Sequence, residues 1–253
     1  IVKNAFKDST AIQGRKDLEW LKYEDIPAAT FAGKGAGACR QMGRYQLLEQ
    51  SDVFSAKVSS MLKKAKQNIN IKPDEHISIQ VHVFSGISGG TGSGTFLDAC
   101  YLMKKCLDQE KVTIFGYVFL PDINMSLTAN EIDKESMSIN GYAAMQEIDY
   151  CMQLPGNGGS FKQVYKGVGS VDWNQPPVDM CHLIGGEPES GIIPGNSYEY
   201  AMHVVAEYVM DFLTQPEDVE KFGIVSHISN FLDKINTIDG KKNHGVNVRY
   251  ATI

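Results

Sequence analysis

No apolar run in this 253-residue chain approaches a membrane span: the longest, Val112–Leu120, has nine residues and contains Gly116, against the roughly 20 needed to cross a bilayer. A basic amino-terminal stretch leading into an apolar run and a small-residue cleavage site is also lacking, so no signal peptide is visible. The chain does not begin with Met, as expected of a mature or trimmed protein. Only five cysteines occur (Cys39, Cys100, Cys106, Cys151 and Cys181), an odd number with no C-x-x-C. That argues against a disulfide framework and a zinc site, and for a reducing cytoplasm. The six histidines are dispersed, without H-E-x-x-H or any pair at metal-ligand spacing, and read as packing or surface residues. Basic charge is scarce too: 24 Lys and Arg against 30 Asp and Glu leave a net charge of −6, so no direct nucleic-acid partner is expected. Lys63, Lys64 and Lys66 read as a solvated helix face.

What remains is an ordinary globular composition, 43% hydrophobic and 21% charged, in a chain long enough to bury a large core. No repeat or low-complexity tract interrupts it. Val58, Met61, Leu62 and Ala65 mark an amphipathic helix over 55–66, which Pro73-Asp74 ends. From His76 to Phe84, apolar Ile77, Ile79, Val81 and Val83 alternate with polar residues, as a strand requires. A glycine-rich turn follows, then a helical pattern from Thr95 to Cys106, then Val112–Leu120 as a strand buried on both faces. Ser136–Met152 reads as a helix, 155–177 as a Gly-, Pro- and Asn-rich excursion, and Asp179–Ile184 as another buried strand ending in Gly185-Gly186. Asn196 and Glu199 have capping-box spacing ahead of the apolar stripe Ala201, Val204, Val205, Tyr208 and Phe212. This alternation predicts an α/β fold: a Rossmann-like, mostly parallel sheet flanked by helices, with its ligand beyond the carboxyl ends of the strands.

The turn that carries chemistry is Ser85-Gly86-Ile87-Ser88-Gly89-Gly90-Thr91-Gly92-Ser93-Gly94. Such a loop presents backbone N–H groups without Cβ interference at the positive end of the following helix, and Thr91 and Ser93 add hydroxyls; it is built to cradle phosphate. No Lys follows these glycines, which rejects a Walker A loop. The G-x-G-x-G spacing deep in the chain, with no acidic residue placed about 20 positions on, counts against a dinucleotide-dependent oxidoreductase.

The run Gly89-Gly90-Thr91-Gly92-Ser93-Gly94 resembles the signature loop of the tubulin/FtsZ superfamily, G-G-[ST]-G-[ST]-G. Gly33-Lys34-Gly35-Ala36-Gly37, followed by Arg40 and Gly43-Arg44, resembles the family's preceding phosphate loop and its helix. Over about residues 30 to 215 the chain looks most like the bacterial tubulin-like proteins. The resemblance implies a nucleotide-binding domain over 1–215 and, over 216–253, a connecting segment and the start of a second domain. It implies GTP or GDP with Mg²⁺ as cofactor. Gly35, Ala36 and Gly37 would sense the terminal phosphate, and Ser88 with Gly89, Gly90, Thr91, Gly92, Ser93 and Gly94 would cradle the diphosphate. Asp122, with Pro121, would open the loop that approaches the ribose, and Glu135 or Asn140 would bond its hydroxyls. Tyr198 falls where the family stacks an aromatic on the base, and equally where a half-buried aromatic begins a helix.

The resemblance further implies head-to-tail self-association into filaments, with GTP hydrolysed at the subunit junction by an acid from the loop after the long helix. Ser229-Asn230-Phe231-Leu232-Asp233 offers Asp233, one residue late against the family's N-x-D; Glu217, Asp218 and Glu220 are alternatives. The late acid leaves room for a non-hydrolysing, nucleotide-gated scaffold. Two asparagines with which the family reads guanine are matched here by Gly186 and Met202, and Asn196 is a substitute that also has cap spacing. The family's first phosphate loop has no counterpart, and Val246–Ile253 resembles the opening strand of its second domain, so the sequence reads as a fragment.

Overall fold

The alternation ending at Val83 and Phe84 is realised as β1 (Ser78–Gly86), which among the described residues is an edge of the sheet in this computed structural model. The structure describes residues 14–22, 35–67, 78–186 and 196–214, with strand residues 237–238, 241–242 and 250–252. Beside β1 runs β2 (Lys111–Phe119), in parallel register Val81↔Ile114. Its residues Ile114–Phe119 are all buried, as a strand covered on both faces requires. A hairpin of β3 (Phe161–Tyr165) and β4 (Gly169–Trp173) stands apart from the sheet. β5 (Met180–Ile184) then joins β2, again in parallel.

Among the described residues, six α-helices precede β5. These are α1 (Arg40–Glu49), α2 (Ser51–Gln67), α3 (Gly90–Cys106), the short α4 (Pro121–Met125), α5 (Glu131–Met152) and the four-residue α6 (Leu154–Asn157). After β5 comes the long helix α7 (Ser197–Thr214), capped by Asn196, whose Oδ1 accepts from Glu199 N at 2.8 Å. Thr237–Ile238 (β6) and Lys241–Lys242 (β7) form a small antiparallel pair. Within the stretch assigned from sequence to a second domain, Tyr250–Thr252 (β8) pairs in parallel with β5, completing the sheet order β1-β2-β5-β8.

The layers follow from which side chains each face presents. One face packs Phe96 and Cys100 of α3 and Ala144 and Ile148 of α5 on Ile114, Val118 and Cys181. The other seats Ala201 and Val205 of α7 on Phe115, Tyr117, Met180 and Ile184. Helices therefore cover both faces of a parallel sheet, as the sequence predicts. A third cluster lies outside α3, where Met42, Tyr45 and Leu48 of α1 meet Tyr101 and Leu102 of α3 and Tyr165 and Val171 of the hairpin.

Two local differences from the sequence expectation matter. The excursion 155–177 is ordered: Gln163, Tyr165 and Val171 are buried while Lys162, Val164 and Asp172 are exposed, the alternation of a half-buried hairpin. Its strands are too short, and too close to Gly158, Gly167 and Gly169 in left-handed conformations, for the period to show in sequence. Second, α3 begins at Gly90 rather than Thr95, so three of the signature glycines are helical.

Candidate functional site

The loops at the carboxyl ends of β1, β2 and β5 converge. Ile87 N donates to Phe119 O at 3.2 Å, and Leu120 N to Ile184 O at 2.9 Å. The Asp122 carboxylate accepts from Gly186 N, joining the loop after β2 to the loop after β5. Asn124 Nδ2 donates to Ser88 Oγ at 2.9 Å, joining the loop after β2 to the glycine-rich loop. Asn140 Nδ2, on α5, donates to Ser88 O at 3.0 Å and to Ala38 O at 2.9 Å, which ties the 35–38 turn to the same place.

That turn is held by Cys39 N donating to Ala36 O at 2.9 Å, with Gly35, Gly37 and Ala38 at φ of 71°, 55° and 60°. Ala36 is buried, and its N–H faces Thr91 Oγ1 at 3.4 Å. The turn predicted to meet a terminal phosphate therefore lies directly against the glycine-rich helix start.

The glycines divide into two kinds. A Cβ on Gly90 would lie 2.5 Å from Cys39 N, one on Gly94 2.2 Å from Arg40 O, and one on Gly43 2.2 Å from Gly90 O. These three let the first turns of α1 and α3 cross backbone to backbone, closer than any side chain permits. A Cβ on Gly92 would lie 2.1 Å from Gly86 O, so this glycine seats α3 on the end of β1. Gly89 alone of the run has open space where its Cβ would stand. Most of the signature is thus spent on packing, where the sequence suggests open access for an anion throughout.

The crossing has an electrostatic consequence. Neither α1 nor α3 has a side-chain cap: Cys39 and Gly89 occupy those positions with no side-chain hydrogen bond to the helix, whereas Asn130 caps α5 and Asn196 caps α7. The first N–H groups of a helix lack intrahelical acceptors and carry its positive dipole end. Two such ends meet beside Gly89 and the exposed Thr91. Ser93 faces inward; it is 7% exposed and its hydroxyl donates to Gly89 O.

Below the crossing, the Asp98 carboxylate accepts from Arg44 Nε at 2.8 Å and from Tyr165 OH at 2.8 Å, while Arg44 Nη2 donates to Gln163 Oε1 at 2.9 Å. Burial pushes the Asp98 carboxyl up, and the Arg44 guanidinium pulls against it. Arg40, the first residue of α1, donates to Ser93 O at 3.3 Å and pairs with Glu147. The buried thiols of Cys100, Cys151 and Cys181 are not nucleophiles in waiting, because burial raises all three, Cys151 to about 11 and Cys181 to about 12.

Of the residues singled out from sequence, Gly35–Gly37, Ser88–Gly94, Asp122 and Asn140 come together. Tyr198, 39% exposed, opens α7, whose neighbour Ser197 lies against Gly186 in the loop that Asp122 holds. Glu135 is exposed on α5, a turn and a half before Asn140. Met202 packs against the core cluster under α7. Gly33, Lys34, Asp233, Glu217, Asp218 and Glu220 lie outside the described residues. Sequence reasoning missed Asn124, for which no local signal exists, and the close approach of Gly43 to Gly90 and of Gly94 to the backbone of Arg40 and Arg44, hinted at only by the four-residue glycine spacing. Among the described residues, no three of His, Cys, Asp or Glu could hold a metal ion, and no helix is long and apolar enough to cross a membrane.

No curated protein matches the chain. The family model described as tubulin-like matches residues 1–253. With the glycine-rich loop at the carboxyl end of a parallel strand and helices on both faces of the sheet, the chain belongs to the tubulin-like family.

Proposed function

We propose that the protein binds a guanine nucleotide, GTP or GDP with Mg²⁺, between the glycine-rich loop and the 35–38 turn, and that the nucleotide governs head-to-tail self-association into filaments. The observation that carries this reading is the meeting of two helix amino termini without side-chain caps at Gly89, where an anion finds N–H donors, dipole and space together. Gly89, Gly90 and Thr91 supply donors to the phosphates, and Gly35–Gly37 close over the terminal one. The joined loops of Asp122 and Gly186 and, at the start of α7, Tyr198 border the nucleoside end. Mg²⁺ would sit among the phosphate oxygens and the Thr91 hydroxyl rather than in a protein cage, and would neutralise charge there. The unpaired state of all five cysteines supports a cytoplasmic setting.

Hydrolysis at the junction would draw on Asp233 or an acid near it from the adjoining copy. The displacement of Asp233 by one position favours a second reading, a scaffold whose assembly surface is set by bound nucleotide without turnover.

Mass spectrometry of nucleotide released on denaturing the purified protein, with titrations of GTP and ATP, tests the binding. Guanine nucleotide is the expected result; a protein that binds neither would end the reading. Phosphate release then separates enzyme from scaffold. Junction chemistry gives a specific activity that rises steeply with protein concentration, and a scaffold gives none.

A further inference from the structure

A cavity of about 720 Å³ is lined by residues of α1, α3 and the carboxyl-terminal half of α5, with Trp20 and Phe161 of β3 also in its wall. That volume falls in the range that takes a small organic ligand. Of the glycine-rich run, Ser93 and Gly94 line it, whereas Gly89 and Thr91, where phosphate is proposed to sit, do not. The cavity is thereby set apart from the cradle, although both are built on the crossing of α1 and α3.

Three cations, Lys22, Arg40 and Arg44, share this wall with two carboxylates, Asp98 and Glu147. A guanidinium carries five N–H groups, and neither arginine spends all of its own. Arg40 donates through Nη2 to Ser93 O and to Glu147, while its buried Nε has no hydrogen-bond partner among the described residues. Arg44 donates through Nε to Asp98 and through Nη2 to Gln163, and its guanidinium lies over the Trp20 ring at 4.4 Å. Lys22 is exposed, and its ammonium makes no ion pair among the described residues. The acids do not balance these groups. Both oxygens of Asp98 are taken, one by Arg44 and one by Tyr165, and the Glu147 side chain is 54% exposed to competing water. Beside the unspent donors stand Trp20, Leu97 and Phe161, all half-buried, and the exposed ring of Tyr150. Donors of positive charge next to planar apolar surface suit an anion attached to a ring.

We propose that this cavity binds a small aromatic acid, whose carboxylate or phosphate accepts from Arg40, Arg44 and Lys22 while its ring lies against Trp20, Leu97 and Phe161. The acid supplies the acceptor that Arg40 Nε lacks and takes the place of Glu147 on that guanidinium. A neutral ring of the same size would leave the donors unspent, and an aromatic cation would meet three like charges. The site needs no bound nucleotide to form.

Calorimetric titration of the full chain with 2-naphthoate, 2-naphthyl phosphate and 2-naphthylmethylamine, without nucleotide, tests it. At least one of the two acids is expected to bind with a dissociation constant below about 1 mM, the tighter of them identifying the head group, and the amine at least about tenfold more weakly. Arg40→Gln should weaken the acid about tenfold. Lys22→Gln, at an exposed position that folding does not need, should weaken it about threefold, and circular dichroism checks both variants. Saturating GTP should leave the affinity for the acid within about twofold. A chain that binds no GTP would end the nucleotide reading and leave the acid titration as decisive as before. The proposal is overturned if neither acid binds below that limit, if the amine binds as tightly, if both variants keep the parent affinity, or if GTP displaces the acid, which would put it in the cradle.

Discussion

At Gly89 and Gly92 two glycines three positions apart do opposite jobs. Gly89 has φ −101° and ψ 178°, extended backbone open to any residue, with nothing within 4 Å of a built Cβ. Asp at this position would cap α3 and place negative charge where the phosphates are proposed to sit. The Gly89→Asp protein should melt at or slightly above the parent temperature and bind GTP at least about tenfold more weakly. Unchanged affinity would remove the cradle from Gly89. Gly92→Ala should instead lower stability by about 1–3 kcal/mol in urea titration, because its Cβ meets Gly86 O at 2.1 Å. Loss of binding in that variant would therefore report on folding and not on phosphate recognition.

Two histidines on the α7 side of the sheet make stability depend on pH. His182 is fully buried, stacks on Tyr117 with centroids 4.6 Å apart, and contacts Tyr208 OH through Nε2 at 3.1 Å. His82 meets Tyr117 OH through Nδ1 at 3.0 Å. Burial holds both imidazoles below their ordinary value of about 6.5. The unfolded chain then takes up protons that the folded one refuses. Stability is full above about pH 6.5 and declines as the pH falls through the folded-state values. Urea midpoints at pH 5.5 should lie below those at 7.5, and His182→Gln should flatten the difference. A slope unaffected by that substitution would assign the acid sensitivity elsewhere.

At the scale of elements, the crossing of α1 and α3 is secured by one polar knot. Asp98 of α3 binds Arg44 of α1 and Tyr165 of β3 and is 2% exposed, so removing its carboxylate leaves Arg44 Nε and the buried Tyr165 hydroxyl without that acceptor. Asp98→Ala should destabilise by about 3–5 kcal/mol, read from the urea midpoint. Tyr165→Phe, which deletes one hydrogen bond to a charged group, should cost about 1.5–3 kcal/mol. Near-parent stability in Asp98→Ala would show that the glycine crossing holds without the knot. Because the crossing places the 35–38 turn over Thr91, the stronger variant should also loosen nucleotide binding.

At the scale of the whole molecule, a ligand that binds only the folded chain must raise its stability. GTP at 100 times its dissociation constant should add about 2.7 kcal/mol, visible as an upward shift of the melting temperature that NADH does not produce. A shift with NADH and none with GTP would return the fold to dinucleotide chemistry. The element plan behind this expectation was legible because strands and helices leave local periods: alternation in β1, continuous burial in β2 and the apolar stripe of α7 each span fewer than 20 residues. The β3–β4 hairpin was not legible, since five-residue strands bounded by glycine carry too little pattern to stand out.

The sequence by itself determined the family and the α/β architecture and singled out the glycine-rich loop, because a run of alternating glycines and hydroxyls is informative without knowing its neighbours. Only the tertiary structure decided how the glycines of that loop pack. Gly43 and Gly90 are far apart in the chain, and nothing local to either announces that their backbones touch. Asn140 likewise became a tie between two loops through carbonyls of Ala38 and Ser88 that only the fold brings within reach. Contacts between distant segments depend on how the layers pack, and packing is decided by all the apolar faces together, which no short stretch of sequence encodes.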